Sequence, residues 1–159
     1  MSALAKGWIL YRPEPGLVKQ ESYEVDRLLE VAPRHGYALA VVDPDDDQVL
    51  VNAEGADAVT VDGEEVPLPD FVIPRLGSMT GYFALAVIRQ LEHLGVFCLN
   101  GADAVALAQD KLHQLQVLAD HGFPVPKTLL VKFPVDADMV EETIGFPVVV
   151  KTLVGTQGS

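Results

Sequence analysis

Two lysines and a run of glycines are the residues best suited to chemistry in this chain. Lys151 closes the apolar run Pro147-Val148-Val149-Val150, and Gly155-Thr156-Gln157-Gly158 follows it. A short β-branched run of this kind makes a buried strand, and glycines after it let backbone N–H groups come close to phosphate oxygens. The spacing fits neither the G-x-x-x-x-G-K-[ST] loop nor the G-x-G-x-x-G turn, so taken alone it also reads as an ordinary strand and turn. A second cation, Lys111, stands about forty residues upstream. Two ammonium groups on different elements are suited to clamping a dense anion such as a nucleoside triphosphate, because they lower the repulsion met by an approaching nucleophile.

Arg75 is the other candidate. It follows the apolar run Asp70 to Ile73 and Pro74, so its guanidinium should emerge at the carboxyl end of a strand, where open α/β sheets place ligands. A planar fork there can grip a substrate carboxylate, with Ser78 and the backbone of Gly77 assisting. It can equally be tied to one of the many acidic side chains. Arg89, on the polar side of its helix, reads as structural.

The remaining polar groups are quieter. Asp43 to Asp47 lacks the calcium-loop pattern and reads as a solvated turn. His35, His93 and His121 each precede a glycine at a helix end, where an imidazole complements the helix dipole, and no pair of histidines has metal-ligand spacing. The single cysteine, Cys98, excludes an intrachain disulfide. It lies in the apolar run Val96 to Leu99 and reads as a buried, inert thiol.

These groups must be held by an alternating α/β chain. Trp8 to Tyr11 reads as a first strand, with Met1 to Leu10 carrying a short leader of no assigned function. Ser22 can cap a helix whose Val25, Leu28, Leu29 and Ala32 form an apolar face. Tyr37 to Val42 makes a second strand, and a helix between two such strands implies a right-handed parallel crossover. Val49 to Val51 and Ala58 to Val61 read as edge strands, with Asp62-Gly63 as a tight turn. A strand over Asp70 to Ile73, a helix through Ala84, Val87, Ile88, Leu91 and Leu94, and a strand over Val96 to Leu99 complete a doubly wound parallel sheet. Beyond it, Asp103 is the expected N-cap of one helix running through Val105, Ala108, Leu112, Leu115 and Ala119 to Gly122. Lys127 to Val131 then reads as a strand, Val135 to Ile144 as a short helix, and Phe146 to Leu153 as the strand before the glycines.

Composition narrows the class. Of the 159 residues 49% are hydrophobic and 21% charged, enough for one ordinary core and the start of a second. A formal charge of −12 argues against a surface built for nucleic-acid backbones and favours a basic partner, although acidity also serves solubility. The start lacks the apolar core of a signal peptide and no stretch approaches a membrane span, so a cytoplasmic location is expected.

Six ordered segments carry a family resemblance: Pro74-Arg75-Leu76-Gly77-Ser78, Val87 to Glu92, Gly95 to Asn100, Asp110-Lys111-Leu112, Pro124-Val125-Pro126, and Val149-Val150-Lys151 with Gly155 to Gly158. Together they resemble the ATP-grasp ligases, above all the RimK type, the ribosomal-protein glutamate ligases. The resemblance implies a Rossmann-like pre-ATP-grasp domain over 1–99, followed by the first part of the nucleotide-binding domain over 100–159. It implies that Lys111, Lys151, Gly155, Thr156, Gln157 and Gly158 bind ATP, that the glycine loop closes over the phosphates, and that Arg75 and Ser78 face a substrate. The adenine hinge, the magnesium ligands and the arginine near the acyl phosphate follow the glycine loop in this family. No catalytic or metal-binding residue is therefore assigned within the chain, which is expected to be a truncated amino-terminal portion, inactive alone and prone to self-association through uncovered strand edges. The implied reaction joins a carboxylate to an amine through an acyl phosphate, with a protein or peptide carboxyl terminus and glutamate as substrates. The alternative reading is a noncatalytic α/β module that partners a separate catalytic half.

Overall fold

The computed structural model describes residues 4–12, 20–50, 58–61, 63–77 and 80–152. The chain forms two compact units, Met1–Val105 and Ala106–Ser159. The first is an α/β unit around four parallel strands in the order β2-β1-β6-β7: β1 is Ala5–Leu10, β2 Tyr37–Val42, β6 Phe71–Pro74 and β7 Phe97–Cys98. The α/β class and the parallel sheet expected from the sequence are what the structure has.

β1 is the central strand, and Gly7 to Leu10 are all buried. Strands covered on both faces read as continuous apolar runs, which is why Trp8-Ile9-Leu10 carries no alternation. The expected leader over Met1 to Leu10 is overturned at Ala5 to Gly7, which extend the strand expected from Trp8 onward. β2 offers six partners in register, from Ala5 opposite Tyr37 to Leu10 opposite Val42, and each extends the ladder. The Lys6 N–H is further anchored by Asp70 Oδ2 at 2.7 Å.

Helix α1, Gln20–Val31, joins β1 to β2, followed by a 3-10 turn over Ala32–His35 that ends at Gly36 in the left-handed region. Ser22 lies inside α1 rather than at its cap, because the good helix formers Gln20 and Glu21 carry the helix upstream of it. Helix α2, Tyr82–His93, joins β6 to β7 and buries Ala84, Val87, Ile88 and Leu91. Val87, Ile88 and Leu91 pack with Trp8, Leu10 and Val72, a set lying on one face of the sheet because Trp8 and Val72 are paired in register.

The segments read as edge strands form a sheet of their own. β3 (Asp47–Leu50), β4 (Ala58–Val61) and β5 (Glu64–Glu65) pair antiparallel in the order β3-β4-β5, and Val59 of β4 joins the core beside α2. Antiparallel pairs need only a tight turn, so they separate from the parallel sheet, where every connection is a crossover.

The chain beyond β7 departs more from expectation. The single helix predicted from Asp103 to Gly122 is two, α3 (Ala102–Gln109) and α4 (Lys111–Asp120), broken at an extended Asp110. Helix α5 spans Ala137–Thr143, capped by Asp136, whose carboxylate accepts from the N–H groups of Asp138 and Met139. Lys127 to Val131 and Phe146 to Thr152 are not strands. Neither pairs with another strand among the described residues, and Leu130, Val149 and Val150 are 59%, 82% and 78% exposed. β-branched composition favours an extended backbone, but a strand also requires a partner ladder. Leu153 lies outside the described residues.

Gly7 is the tightest point of the sheet. A Cβ there would overlap the Phe71 ring and stand 2.8 Å from Leu39 Cδ2. The Phe71 ring also makes an edge contact with Tyr37, centroids 5.6 Å apart. Gly7→Ala is therefore expected to destabilise the first unit by about 1–3 kcal/mol, the usual cost of overpacking. A urea titration followed by circular dichroism checks this, and a midpoint unchanged from wild type would refute the close approach.

Candidate functional site

In the second unit the chemistry is positioned by one cap. Asp110 leaves the helical region at φ −92° and ψ 101°, and its Oδ1 accepts from Leu112 N at 3.0 Å and His113 N at 2.9 Å. Asx residues satisfy the free N–H groups of a first turn in this way. The break makes Lys111 the first residue of α4 instead of a mid-helix side chain. Its Nζ donates to the backbone carbonyl of Thr152 at 3.1 Å, directly beside Lys151.

Two positions forty residues apart in sequence are thus brought to one place, which spacing alone could not show. Lys151 is exposed. Gly155, Thr156, Gln157 and Gly158, read as the phosphate loop, lie outside the described residues. The far end of α4 closes as expected: Gly122 has φ 75°, and the His121 ring meets Val117 O at 2.8 Å through Nδ1. The ammonium at the start of α4 is thereby set against the backbone segment that carries Lys151. Phosphate oxygens are ligands that an ammonium suits.

In the first unit, Arg75 stands at the carboxyl end of β6, held there by its own N–H, which donates to Leu10 O at 2.8 Å. Its guanidinium pairs through Nη2 with Glu24 Oε2 of α1, each side chain being 36% exposed. Of the two readings of Arg75, an acidic partner is what the structure contains. The pair borders an open cavity of about 540 Å³ lined by Tyr23, Glu24, Leu28, Ile73 and Leu99 among others. Ser78 lies outside the described residues.

Sequence reasoning singled out Arg75 and missed Glu24. An acidic residue on an amphipathic helix carries no mark of a partner some fifty positions away. It also missed Asp110 as a cap, although an Asx residue directly before a helical run was a visible signal.

The acidic turn is tied down rather than bare. Arg12 pairs with Asp43 (3.8 Å) and with Asp45, while Asp43 Oδ1 accepts from Asp45 N at 3.0 Å. No cluster of His, Cys, Asp and Glu able to hold a metal ion occurs among the described residues. Arg89 Nε donates to Leu85 O at 3.2 Å, and the guanidinium lies 5.5 Å from the Tyr82 ring centroid. Cys98 is half-buried. Burial and, second, the Glu92 carboxylate push its thiol up to about 11.

Comparison with known proteins gives these positions a context. The family model for the RimK PreATP-grasp domain matches residues 17–105, and that for the RimK-like ATP-grasp domain matches residues 108–159. A probable alpha-L-glutamate ligase 1 of Shewanella amazonensis is 38% identical over 139 residues, 87% of this chain and 46% of that protein. A ribosomal protein bS6–L-glutamate ligase of Escherichia fergusonii is 38% identical over 137 residues, 86% of this chain and 45% of that protein. The chain thus spans about half the length of the curated relatives it matches. A D-alanine–D-alanine ligase of Bacillus anthracis has a similar fold, with a TM-score of 0.62 at 20% identity over 99% of this chain and 48% of that one.

Two measurements test this geometry. Asp110→Ala removes the cap of α4 and should lower stability by about 1 kcal/mol, read as a shift in a thermal melt; Asp110→Asn should retain most of it. Since the Cys98 thiolate forms only as pH nears about 11, iodoacetamide should label native protein very slowly at pH 8 and faster as pH rises toward that value. Rapid labelling at pH 8 would contradict the burial of the thiol.

Proposed function

Because this chain belongs to the RimK family of ATP-grasp proteins, we propose that it is the amino-terminal portion of an ATP-dependent carboxylate-amine ligase. In the proposed reaction a carboxylate oxygen attacks the γ-phosphorus of ATP, ADP departs, and an acyl phosphate results. An amine then attacks the acyl carbon, expels phosphate and gives up a proton, leaving an amide bond. The observation that carries the reading is the hydrogen bond from Lys111 Nζ to Thr152 O, which joins the two lysine segments at one corner.

Lys111 and Lys151 bind the phosphates in this proposal, and their charge offsets the repulsion between the nucleotide and an incoming carboxylate. Gly155 to Gly158 supply backbone N–H groups and close over the phosphates, excluding the water that would hydrolyse an acyl phosphate. Magnesium accompanies ATP, with no ligand assigned to it from this chain. The proposed acceptor is a protein carboxyl terminus and the proposed amine is glutamate, a reading supported by the names of the relatives. The proposed division into a pre-ATP-grasp domain over 1–99 and the start of a nucleotide-binding domain over 100–159 is supported by family matches that change over between residues 105 and 108. Among the described residues no helix is long and apolar enough to cross a membrane; the cytoplasm is the compartment we assign.

Lys111→Met and Lys151→Met, made in the full-length protein, should each weaken magnesium-ATP binding roughly tenfold or more by calorimetry, the effect of losing one charge-assisted contact. Unchanged affinity in both variants would remove the lysine corner from the mechanism.

A further inference from the structure

One face of the parallel sheet is only half covered. Phe71 is in register with Gly7, Ile73 with Ile9, and Phe97 with Phe71. Residues two apart on a strand share a face, so Phe71, Ile73, Phe97 and Leu99 line the side opposite to Trp8 and Val72, against which α2 packs. Helix α1 lies on this side, since its Tyr23, Leu28 and Val31 border the same open depression as Ile73 and Leu99. A helix with its side chains is about 10–12 Å across, whereas four strands at their usual spacing span roughly 20 Å. Helix α1 joins β1 to β2, and the β6 and β7 half of the face forms an open apolar strip beside it. Phe97 is 65% exposed there and Leu99 50%, and Tyr23 on the helix flank is 65% exposed.

Charge is arranged unevenly about this strip. From Asp43 to Asp70 the acidic residues are accompanied by no Lys or Arg, and the antiparallel sheet within that stretch packs beside α2 through Val59, on the other side. On α1 the charges are balanced, with Arg27 and Arg34 both paired to Glu30. Two copies that each carry a formal charge of −12 repel one another, and the repulsion is least where charge is absent or paired. An open surface rich in aromatic side chains and poor in charge has the composition of the centre of a protein interface. A buried aromatic side chain covers about 150–250 Å², so Tyr23, Phe97 and Leu99, with the half-buried Phe71, Ile73, Leu28 and Val31, offer roughly 500 Å². Two such strips bury about 1,000 Å², which is the least that a specific interface needs.

We propose that the strip is the contact between two copies of this chain related by a two-fold axis. The α1 of each copy lies along the β6 and β7 strip of the other, so each sheet receives from its partner a second helix on that face. Tyr23 of one copy meets Phe97 of the other, and the two-fold axis makes the same contact twice. The surface lies wholly within the first unit and goes beyond the nucleotide-dependent reaction, so it stands or falls independently of Lys111 and Lys151.

The test is sedimentation equilibrium of the full-length protein without nucleotide over a range of concentrations. Wild type should associate reversibly, with a dissociation constant on the order of 10–100 μM for so small an interface. Phe97→Glu places a charge in the middle of the strip at a side chain that is already largely exposed, and should weaken association at least about tenfold while the thermal melt stays near that of wild type. Tyr23→Lys on α1 should do the same. Mixed together, the two variants should associate again, because one of the two symmetric contacts keeps Tyr23 against Phe97 and the other sets a lysine against a glutamate. A wild-type protein that stays monomeric at every concentration would overturn the proposal, and that outcome depends on no variant folding. So would association that neither folded variant weakens, the result expected if copies met through strand edges or if another part of the same chain covered the strip. A mixture that fails to associate would overturn the reciprocal placement of α1.

Discussion

The strand Ala5–Leu10 is the constraint from which the first unit is built. It is hydrogen-bonded on both edges, to β2 and to β6, and buried on both faces from Gly7 onward. A central parallel strand admits no local repair, because its neighbours reach it only through crossovers and each crossover sets down a helix on a face. The helix α1, which carries the chain from β1 to β2, is therefore a consequence of its position. So is Arg75: the carbonyl of Leu10, the last residue of β1, receives the Arg75 N–H, and the Leu99 N–H reaches the neighbouring strand at Val72 O. Three segments distant in sequence end level with one another, and the open end of the sheet becomes a place where side chains meet. Gly7 is what lets β1 sit there, since the Phe71 ring lies where its Cβ would be.

The parallel sheet was legible because its cause is local. Apolar runs at Trp8 to Leu10, Tyr37 to Val42 and Phe71 to Ile73, separated by a helical period ending at Gly36, specify strand, crossover and strand without knowledge of any contact. What was not legible depended on partners. Ala5 and Lys6 look like a leader in composition, and only the presence of β2 residues opposite them makes them strand. The converse holds at Lys127 to Val131 and Phe146 to Thr152, where good strand composition meets no partner strand among the described residues and gives no strand. β-propensity describes fitness for a pleated surface, and the surface must be supplied from elsewhere in the chain.

The candidate sites divide in the same way. Lys111, Lys151 and Arg75 stood out because cations near glycines and at strand ends are rare enough to notice. Their relationships did not, since an ion pair between Glu24 and Arg75 or a hydrogen bond from Lys111 to Thr152 leaves no periodic trace. Asp110 is the instructive intermediate. Apolar spacing from Val105 to Ala119 is continuous enough to argue for one helix, yet Asp110 offers its carboxylate to the next turn and turns the backbone out of the helical region. Local side-chain competition for backbone N–H groups outweighs the propensity of the residues on either side. The outcome matters for chemistry, because a lysine at the first position of a helix points to different surroundings than one on a helix flank.

Both candidate sites share a physical arrangement in which a cation is held by an oxygen of the protein itself, at Lys111 by a backbone carbonyl and at Arg75 by a carboxylate. The two oxygens are not equivalent. A carbonyl dipole leaves the ammonium its charge, so this hydrogen bond orients Lys111 without itself neutralising it. A carboxylate neutralises the guanidinium it binds, so an anion that approaches Arg75 must displace Glu24 before it gains anything from the charge. The partly exposed setting of that pair makes such an exchange feasible, because a displaced carboxylate regains hydration and the penalty of breaking a fully buried pair does not arise.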